Sequence, residues 1–293
     1  MSFRKRFIVT LDDIYWFIKA GKSKKKVSAS ELKSDLNNYI QSPVFFLSTG
    51  RCGTKWFSDL LSSNKSLMVL HNPKPSFANQ NNLVYQIFKN NEASDSEINL
   101  VKEIFLTGRE QYLRYSYKTQ KRYIETNNYI SFFAPALIKI FPDAKFVHLY
   151  RHPGEFVRSG IRRNYYDKEN PNDVKRITPI SEHLQESWGN MNQLEKTSWL
   201  WNETNSFIEK FKNEHSANCY DFNFNELNLK NVTSLMNFLD IKVPESNIKR
   251  TLNKKSNAQK AGSFAEYKDW DSNQKLALKE ICNDLSKKYN YKI

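Results

Sequence analysis

The sequence predicts an α/β domain with a central parallel sheet flanked by helices. Two short apolar runs, Val44–Leu47 and Lys145–Tyr150, have the length of buried strands, and each breaks into a turn followed by helical spacing. Between and after them the order strand, helix, strand, helices, strand, helix requires crossover connections, which place helices over a parallel sheet. The chain has 293 residues, of which 39% are hydrophobic and 14% aromatic, enough for one large domain with its own core.

Residues 1–40 form a basic helical extension ahead of a single domain at 41–293. Leu11, Ile14, Tyr15 and Ile18 have helical spacing between Arg4-Lys5-Arg6 and Lys24-Lys25-Lys26. Such a helix either lies on an anionic membrane or packs on the domain with a solvated loop behind it. The formal charge of +14 has two readings: a generally solvated basic surface, since Lys is scattered along the whole chain, or an anionic partner, whether nucleic acid, a membrane surface or a polyanionic small molecule.

The stretch 43–61, PVFFLSTGRCGTKWFSDLL, organises the rest. After the strand come Gly50, Arg51, Cys52 and Gly53, then a helix whose Trp56, Phe57, Leu60 and Leu61 share one face. A strand, a glycine-bearing turn and a helix N-terminus converge backbone N–H groups on one spot, and Arg51 and Lys55 add charge there. This suits phosphate or sulfate. A nucleotide-kinase loop would need Gly-Lys-Ser/Thr to seat Mg²⁺, and here Trp56 follows Lys55.

Downstream, Leu67–Leu70 reads as a strand ending in His71-Asn72-Pro73, at the edge where parallel sheets bind ligands. Residues 77–115 read as polar helices, and 115–123 connect them to Glu125-Thr126-Asn127 and a helix at 130–141. Strand Lys145–Tyr150 ends in Arg151-His152-Pro153-Gly154, and a helix follows at 155–163. Residues 164–187 form a polar connection, 188–211 a long amphipathic helix, 219–222 a strand and 232–239 a helix.

Together the two turns carry a family resemblance. Arg51, Cys52, Gly53, Thr54, Lys55 and Trp56 resemble the 5′-phosphosulfate loop of sulfotransferases, and Arg151 with Ser159, eight residues on, resembles that family's 3′-phosphate motif. An Arg fork takes a dianionic phosphate bidentately, and a hydroxyl two turns into the next helix reaches the same oxygens. The resemblance spans about residues 43–290 and implies a P-loop-like sulfotransferase fold that uses 3′-phosphoadenosine 5′-phosphosulfate (PAPS) and no metal. It further implies that Arg51 stabilises the leaving phosphate, that Trp56 and Tyr220 contact adenine, and that Lys260 or Ser263, with Gly262, closes over the 3′-phosphate. His71 and Glu125 are the two candidates for the general base. The order of residues in 257–291 is similar to that of bacterial carbohydrate and glycolipid sulfotransferases, which implies a saccharide or glycolipid acceptor bearing a hydroxyl or amine. Residues 164–187 fall where the family has an acceptor-gating segment.

Cys52, Cys219 and Cys282 are too widely spaced for a zinc or disulfide framework, and no apolar stretch reaches the roughly 20 residues that span a bilayer. Neither a signal peptide nor a Golgi-type anchor is legible at the start. These features imply a cytoplasmic enzyme, and residues 1–40 leave two readings, a helix packed on the domain or peripheral contact at the inner membrane surface. Two other readings stay open: a Mg²⁺-dependent nucleotide kinase of related fold, and a non-enzymatic basic protein that binds nucleic acid or a membrane. The paired turns favour the nucleotide donor, and no nucleic acid is expected.

Overall fold

The computed structural model describes residues 36, 40–89, 93–167, 176–254 and 262–293. Five strands, β1 (Val44–Leu47), β2 (Leu67–Leu70), β3 (Arg122–Glu125), β4 (Lys145–Tyr150) and β5 (Cys219–Asn223), form one sheet in the order β2-β3-β1-β4-β5. Every adjacent pair is parallel. All four residues of β1 are buried, as a middle strand covered on both faces demands. Phe45 and Leu47 enter the larger core, while Val44 and Phe46 enter the smaller one on the opposite face.

The helices are α1 (Thr54–Leu61), α2 (Gln80–Lys89), α3 (Asp95–Thr119), α4 (Ala134–Ile140), α5 (Pro153–Ile161), α6 (Glu182–Trp188), α7 (Gln193–Glu214), α8 (Leu229–Phe238), α9 (Glu245–Leu252) and α10 (Ser272–Lys288). Trp56, Phe57 and Leu60 of α1 pack in the smaller core with Val232 and Leu235 of α8. The larger core takes α2, α3, α7 and α10. Reciprocal capping boxes start the long helices: Ser94 with Glu97 at α3, Asn192 with Glu195 at α7, Asp271 with Gln274 at α10.

Two details differ from the sequence reading. Residues 188–211 are not one helix, because Asn192 caps a new one and α6 ends at Trp188. Within the stretch read as a connection lies β3, which pairs with both β1 and β2. Its insertion sends the connection from β1 outward past β3 and the connection from β3 back across β1. The carboxyl end of β1 is thus the point where the two crossovers diverge, which is where open α/β sheets bind ligands.

Leu36 and Ile40 are buried in the larger core, whereas the helix read at 8–18 lies outside the described residues. Among the described residues no helix is long and apolar enough to cross a membrane.

Candidate active site

Between β1 and α1 the backbone turns through left-handed conformations at Gly50 (φ 76°), Arg51 (φ 59°) and Gly53 (φ 96°). Ser131 ties the loop down: its hydroxyl accepts from the Ser48 N–H at 2.9 Å and lies 3.0 Å from the Ser48 carbonyl. Gly53 occupies the N-cap of α1 and offers no side-chain acceptor, so the first-turn N–H groups of the helix remain as anion donors. An ideal Cβ on Gly53 would lie 2.1 Å from the Phe224 ring. Sterics and φ therefore both demand glycine. Gly53→Ala is expected to push Phe224 off the loop and weaken binding of adenosine 3′,5′-bisphosphate at least about tenfold, the equivalent of ~1.4 kcal/mol; calorimetry showing unchanged affinity would remove the loop from the nucleotide site.

The second turn meets the first here. Arg51 Nε donates to Ser159 Oγ at 3.2 Å, and Arg151 donates to the Arg51 carbonyl at 3.1 Å while pairing with Glu155. Burial, with Arg163 close by, lowers the pKa of Arg51. Glu155, Arg158, Ser159 and Arg162 recur at i, i+3, i+4 and i+7 along α5 and its end, and all four line a cavity of 640 Å³. His152, Asn225, Tyr267, Lys268 and Tyr291 complete its walls. Arg51 and Arg151 also line a second cavity of 190 Å³, with Gly53, Thr54, Lys55, Trp56, His71, Asn128 and Arg176. The two spaces adjoin at the paired arginines.

His71 belongs to the second cavity. Its Nδ1 lies 3.0 Å from Thr126 Oγ1, and burial, helped by the nearby Lys55 charge, holds its pKa below the ordinary value. The Thr126 hydroxyl is 3.3 Å from the Leu70 carbonyl. Donation to that carbonyl leaves the hydroxyl oxygen to accept Nδ1–H, and then Nε2 carries the free lone pair.

The family model described as "Sulfotransferase family" matches residues 43–245. The chain belongs to the sulfotransferase family. Among solved structures it is similar to the sulfotransferase domain from the curacin biosynthetic pathway (14% identity, TM-score 0.51, 87% of this chain and 99% of that one). It is similar also to sulfotransferase STF9 from Mycobacterium avium (13% identity, TM-score 0.52, 88% of this chain and 79% of that one). These likenesses show the fold, the P-loop-like sheet with its flanking helices. No curated protein sequence matches the chain.

The sulfotransferase site differs from the sequence expectation at several residues. Glu125 lines neither cavity. It is fully buried and takes two hydrogen bonds from Arg109 (3.0 and 2.7 Å), one from the Tyr123 hydroxyl (2.6 Å) and one from Asn127 (3.2 Å). The structure thus places Glu125 in a buried pair with Arg109 and away from both cavities, whereas His71, the other candidate for the base, lines the smaller one. Tyr220 also lines neither cavity: its ring packs 5.2 Å from that of Phe238. Four and five residues on, Phe224 and Asn225 line the cavities instead.

Cys52 is buried, with Sγ 3.2 Å from Thr49 Oγ1 and 3.1 Å from the Gly50 carbonyl. Burial pushes its pKa up to about 11, so it remains a thiol and can offer a ligand only its backbone. Trp56 is 4% exposed and donates its indole N–H to the Thr251 carbonyl at 3.2 Å. Lys55 pairs with Asp59 one turn on. The Gly262 carbonyl accepts from Arg162 Nε at 2.9 Å, docking the C-terminal segment on the end of α5; Lys260 lies outside the described residues.

A third cluster resembles a metal site only by residue type. Ligand atoms of His148, Glu209 and Asp221 lie within 4.8 Å of one another. However, Lys212 sits 2.7 Å from both carboxylates and Lys288 sits 2.5 Å from Glu209. Ammonium groups already neutralise the acids, and the cluster tethers α10 to α7 and the sheet.

Proposed function

We propose that this sulfotransferase moves a sulfuryl group from PAPS to a hydroxyl of a saccharide or glycolipid, or to an amine on such an acceptor. The observation that carries the donor is the 3.2 Å bond from Arg51 to Ser159, which brings the two phosphate motifs into one site. Arg151, Ser159 and the Arg158 and Arg162 face of α5 hold the 3′-phosphate in the larger cavity. Gly53, Thr54, Lys55 and the first turn of α1 hold the 5′-phosphosulfate in the smaller one, and Phe224 with Trp56 flanks the nucleoside. Asn72, Asn128 and Tyr129 give that smaller cavity the hydrogen-bonding wall a polyol needs, which supports a saccharide.

In the transfer, His71 Nε2 takes the acceptor proton as the acceptor oxygen bonds to sulfur. The bond from sulfur to the bridging phosphate oxygen breaks, and Arg51 and Lys55 stabilise the charge that oxygen gains. The nucleotide leaves as adenosine 3′,5′-bisphosphate. The three free cysteines support our reading of a cytoplasmic enzyme, in which the basic stretches at Arg4-Lys5-Arg6 and Lys24-Lys25-Lys26 would make the peripheral membrane contact.

Calorimetric titration tests the donor. Adenosine 3′,5′-bisphosphate should bind without metal, and Mg²⁺-dependent ATP binding in its place would support a kinase and overturn the assignment. The base makes a prediction of its own. His71 must be neutral to act and its pKa is held below 6.5, so kcat/KM should stay level above pH 6.5 and fall only below it. His71→Ala should lose about a hundredfold or more in rate and with it that acidic limb. An unaltered pH profile in the variant would point to another base.

A further inference from the structure

We propose that His148 is a positioning residue for the nucleotide cavity: as an imidazolium it anchors the acid cluster that holds Tyr289 and Tyr291 beside that cavity. The inference rests on the PAPS-dependent reaction above. His148 lies on β4, three residues before Arg151, and is 1% exposed. Its Nδ1 is 3.2 Å from Asp221 Oδ1 on β5, with Glu209 Oε1 at 3.5 Å, and its Nε2 is 3.0 Å from Asn205 Oδ1. The Asn205 amide is fixed in that sense, because its nitrogen donates to the Trp201 carbonyl at 2.8 Å and a flip would set two oxygens together. Both ring nitrogens therefore face acceptors, and only the charged ring donates from both. Burial opposes that charge, but the bonds to Asp221, Glu209 and Asn205 outweigh it and raise the pKa.

The acids connect the ring to every element around it. Asp221 gives Oδ2 to Lys212 of α7 at 2.7 Å and leaves Oδ1 to His148. Glu209 of α7 takes Lys212 at 2.7 Å, Lys288 of α10 at 2.5 Å and the Tyr289 hydroxyl at 3.0 Å. The rings of Tyr150 and Tyr289 lie 5.0 and 5.8 Å from that of His148 and stack on each other at 4.2 Å, and Cys219 of β5 is close to both acids. From Tyr289 the cavity is two residues away. The Tyr291 hydroxyl donates to Asn223, its ring lies 5.2 Å from His152, and Tyr291, His152 and Arg151 all line the larger cavity. Trp201, which fixes Asn205, also donates its indole N–H to the Arg151 carbonyl at 3.0 Å.

Loss of the His148 proton turns one of its hydrogen bonds into a contact between lone pairs, in a buried network where every partner is shared. The raised pKa sets the sign: the cluster is intact below pH 6.5 and loosens as pH rises through the folded value. Donor affinity should fall there. The acceptor's kcat/KM at saturating PAPS stays level, because His71 is already neutral.

The test reads the proton and the affinity separately. The chain holds five histidines, and in ¹⁵N NMR of histidine-labelled protein the His148→Gln spectrum identifies the His148 signal. Both its ring nitrogens should carry protons at about pH 7, with a midpoint above the ordinary histidine value. By calorimetry, affinity for adenosine 3′,5′-bisphosphate should fall about five- to tenfold with the same midpoint, a common size for coupling between sites. The phosphates, with a second pKa of about 6, are already dianionic there. His148→Gln, shown folded by its thermal melt, should bind weakly with no such pH dependence. Tyr289→Phe removes only the hydroxyl link to Glu209; His148 should titrate as before while the affinity change shrinks, and this variant carries the test if His148→Gln does not fold. A single ring proton on His148 at about pH 7 would overturn the proposal. So would deprotonation without a change in affinity, or an undiminished change in Tyr289→Phe. A wild-type protein that binds no bisphosphate at any pH would overturn the donor reading itself, with the NMR titration still reporting the charge on His148.

Discussion

Arg51→Ala is expected to cost about a hundredfold or more in turnover while leaving the protein as stable as before, or slightly more so. The rate loss follows from position: the side chain lines both cavities and reaches Ser159 at 3.2 Å, where the proposed reaction would put the bond that breaks. Removing one donor from comparable oxyanion sites costs about 2.7–4 kcal/mol. The stability expectation is less obvious. Arg51 sits at φ 59°, where any residue with a Cβ is strained, so Ala inherits the strain that Arg already bears. Burial and the neighbouring Arg163 and Arg151 charges all disfavour the charged guanidinium. Deleting it relieves that repulsion, a trade of stability for function that is common at active sites. Turnover and the thermal midpoint measured on one variant decide the matter. An inactive protein with a much lower midpoint would make Arg51 a structural residue, and an active one would remove it from the chemistry.

The parts of the fold legible in the sequence are those where local pattern and burial agree. Val44–Leu47 and Lys145–Tyr150 read as strands because a middle strand is apolar on both faces, and both turns after them were visible as breaks in apolar runs. By contrast β3 has only Tyr123 and Ile124 between charged ends, and it is a strand because β1 and β2 hold it on either side. A tertiary cause of that kind leaves little trace in four residues. The same holds for the site. The loop and its arginine are local and could be read, whereas Phe224 and Tyr291 reach the cavities from distant segments.

Glu125 shows the limit most sharply, since a carboxylate at a strand end looks alike on paper whether it faces substrate or a buried arginine. Arg109, fifteen residues into α3, has no local feature that announces its partner. The helical repeat of Glu155, Arg158, Ser159 and Arg162 is the opposite case, because that basic face was present in the sequence at regular spacing.

Glu125→Gln is expected to destabilise the fold by about 3–5 kcal/mol, the usual result of breaking a buried pair from one side. Both side chains of the pair are 0% exposed. Without the carboxylate charge, Arg109 stays buried over the Phe77 ring at 3.9 Å, with the Pro75 carbonyl at 2.6 Å as a neutral acceptor. The Tyr123 hydroxyl and the Asn127 amide lose part of the same partner. At ~2–4 °C per kcal/mol for a domain of this size class, the thermal midpoint should fall by roughly 6–20 °C. Arg109→Met should do comparable damage, and the double variant Arg109→Met with Glu125→Gln should cost less than the sum, because no unpaired charge remains. The contrast with catalysis is direct: a general base changed to its amide leaves stability near wild type and abolishes the pH-dependent rate. A Glu125→Gln protein with an unchanged midpoint and no acidic limb would return Glu125 to the mechanism in place of His71. A low midpoint with the limb retained in the folded fraction would mark the pair as the support under the β3 end, where Thr126, the next residue, hydrogen-bonds His71.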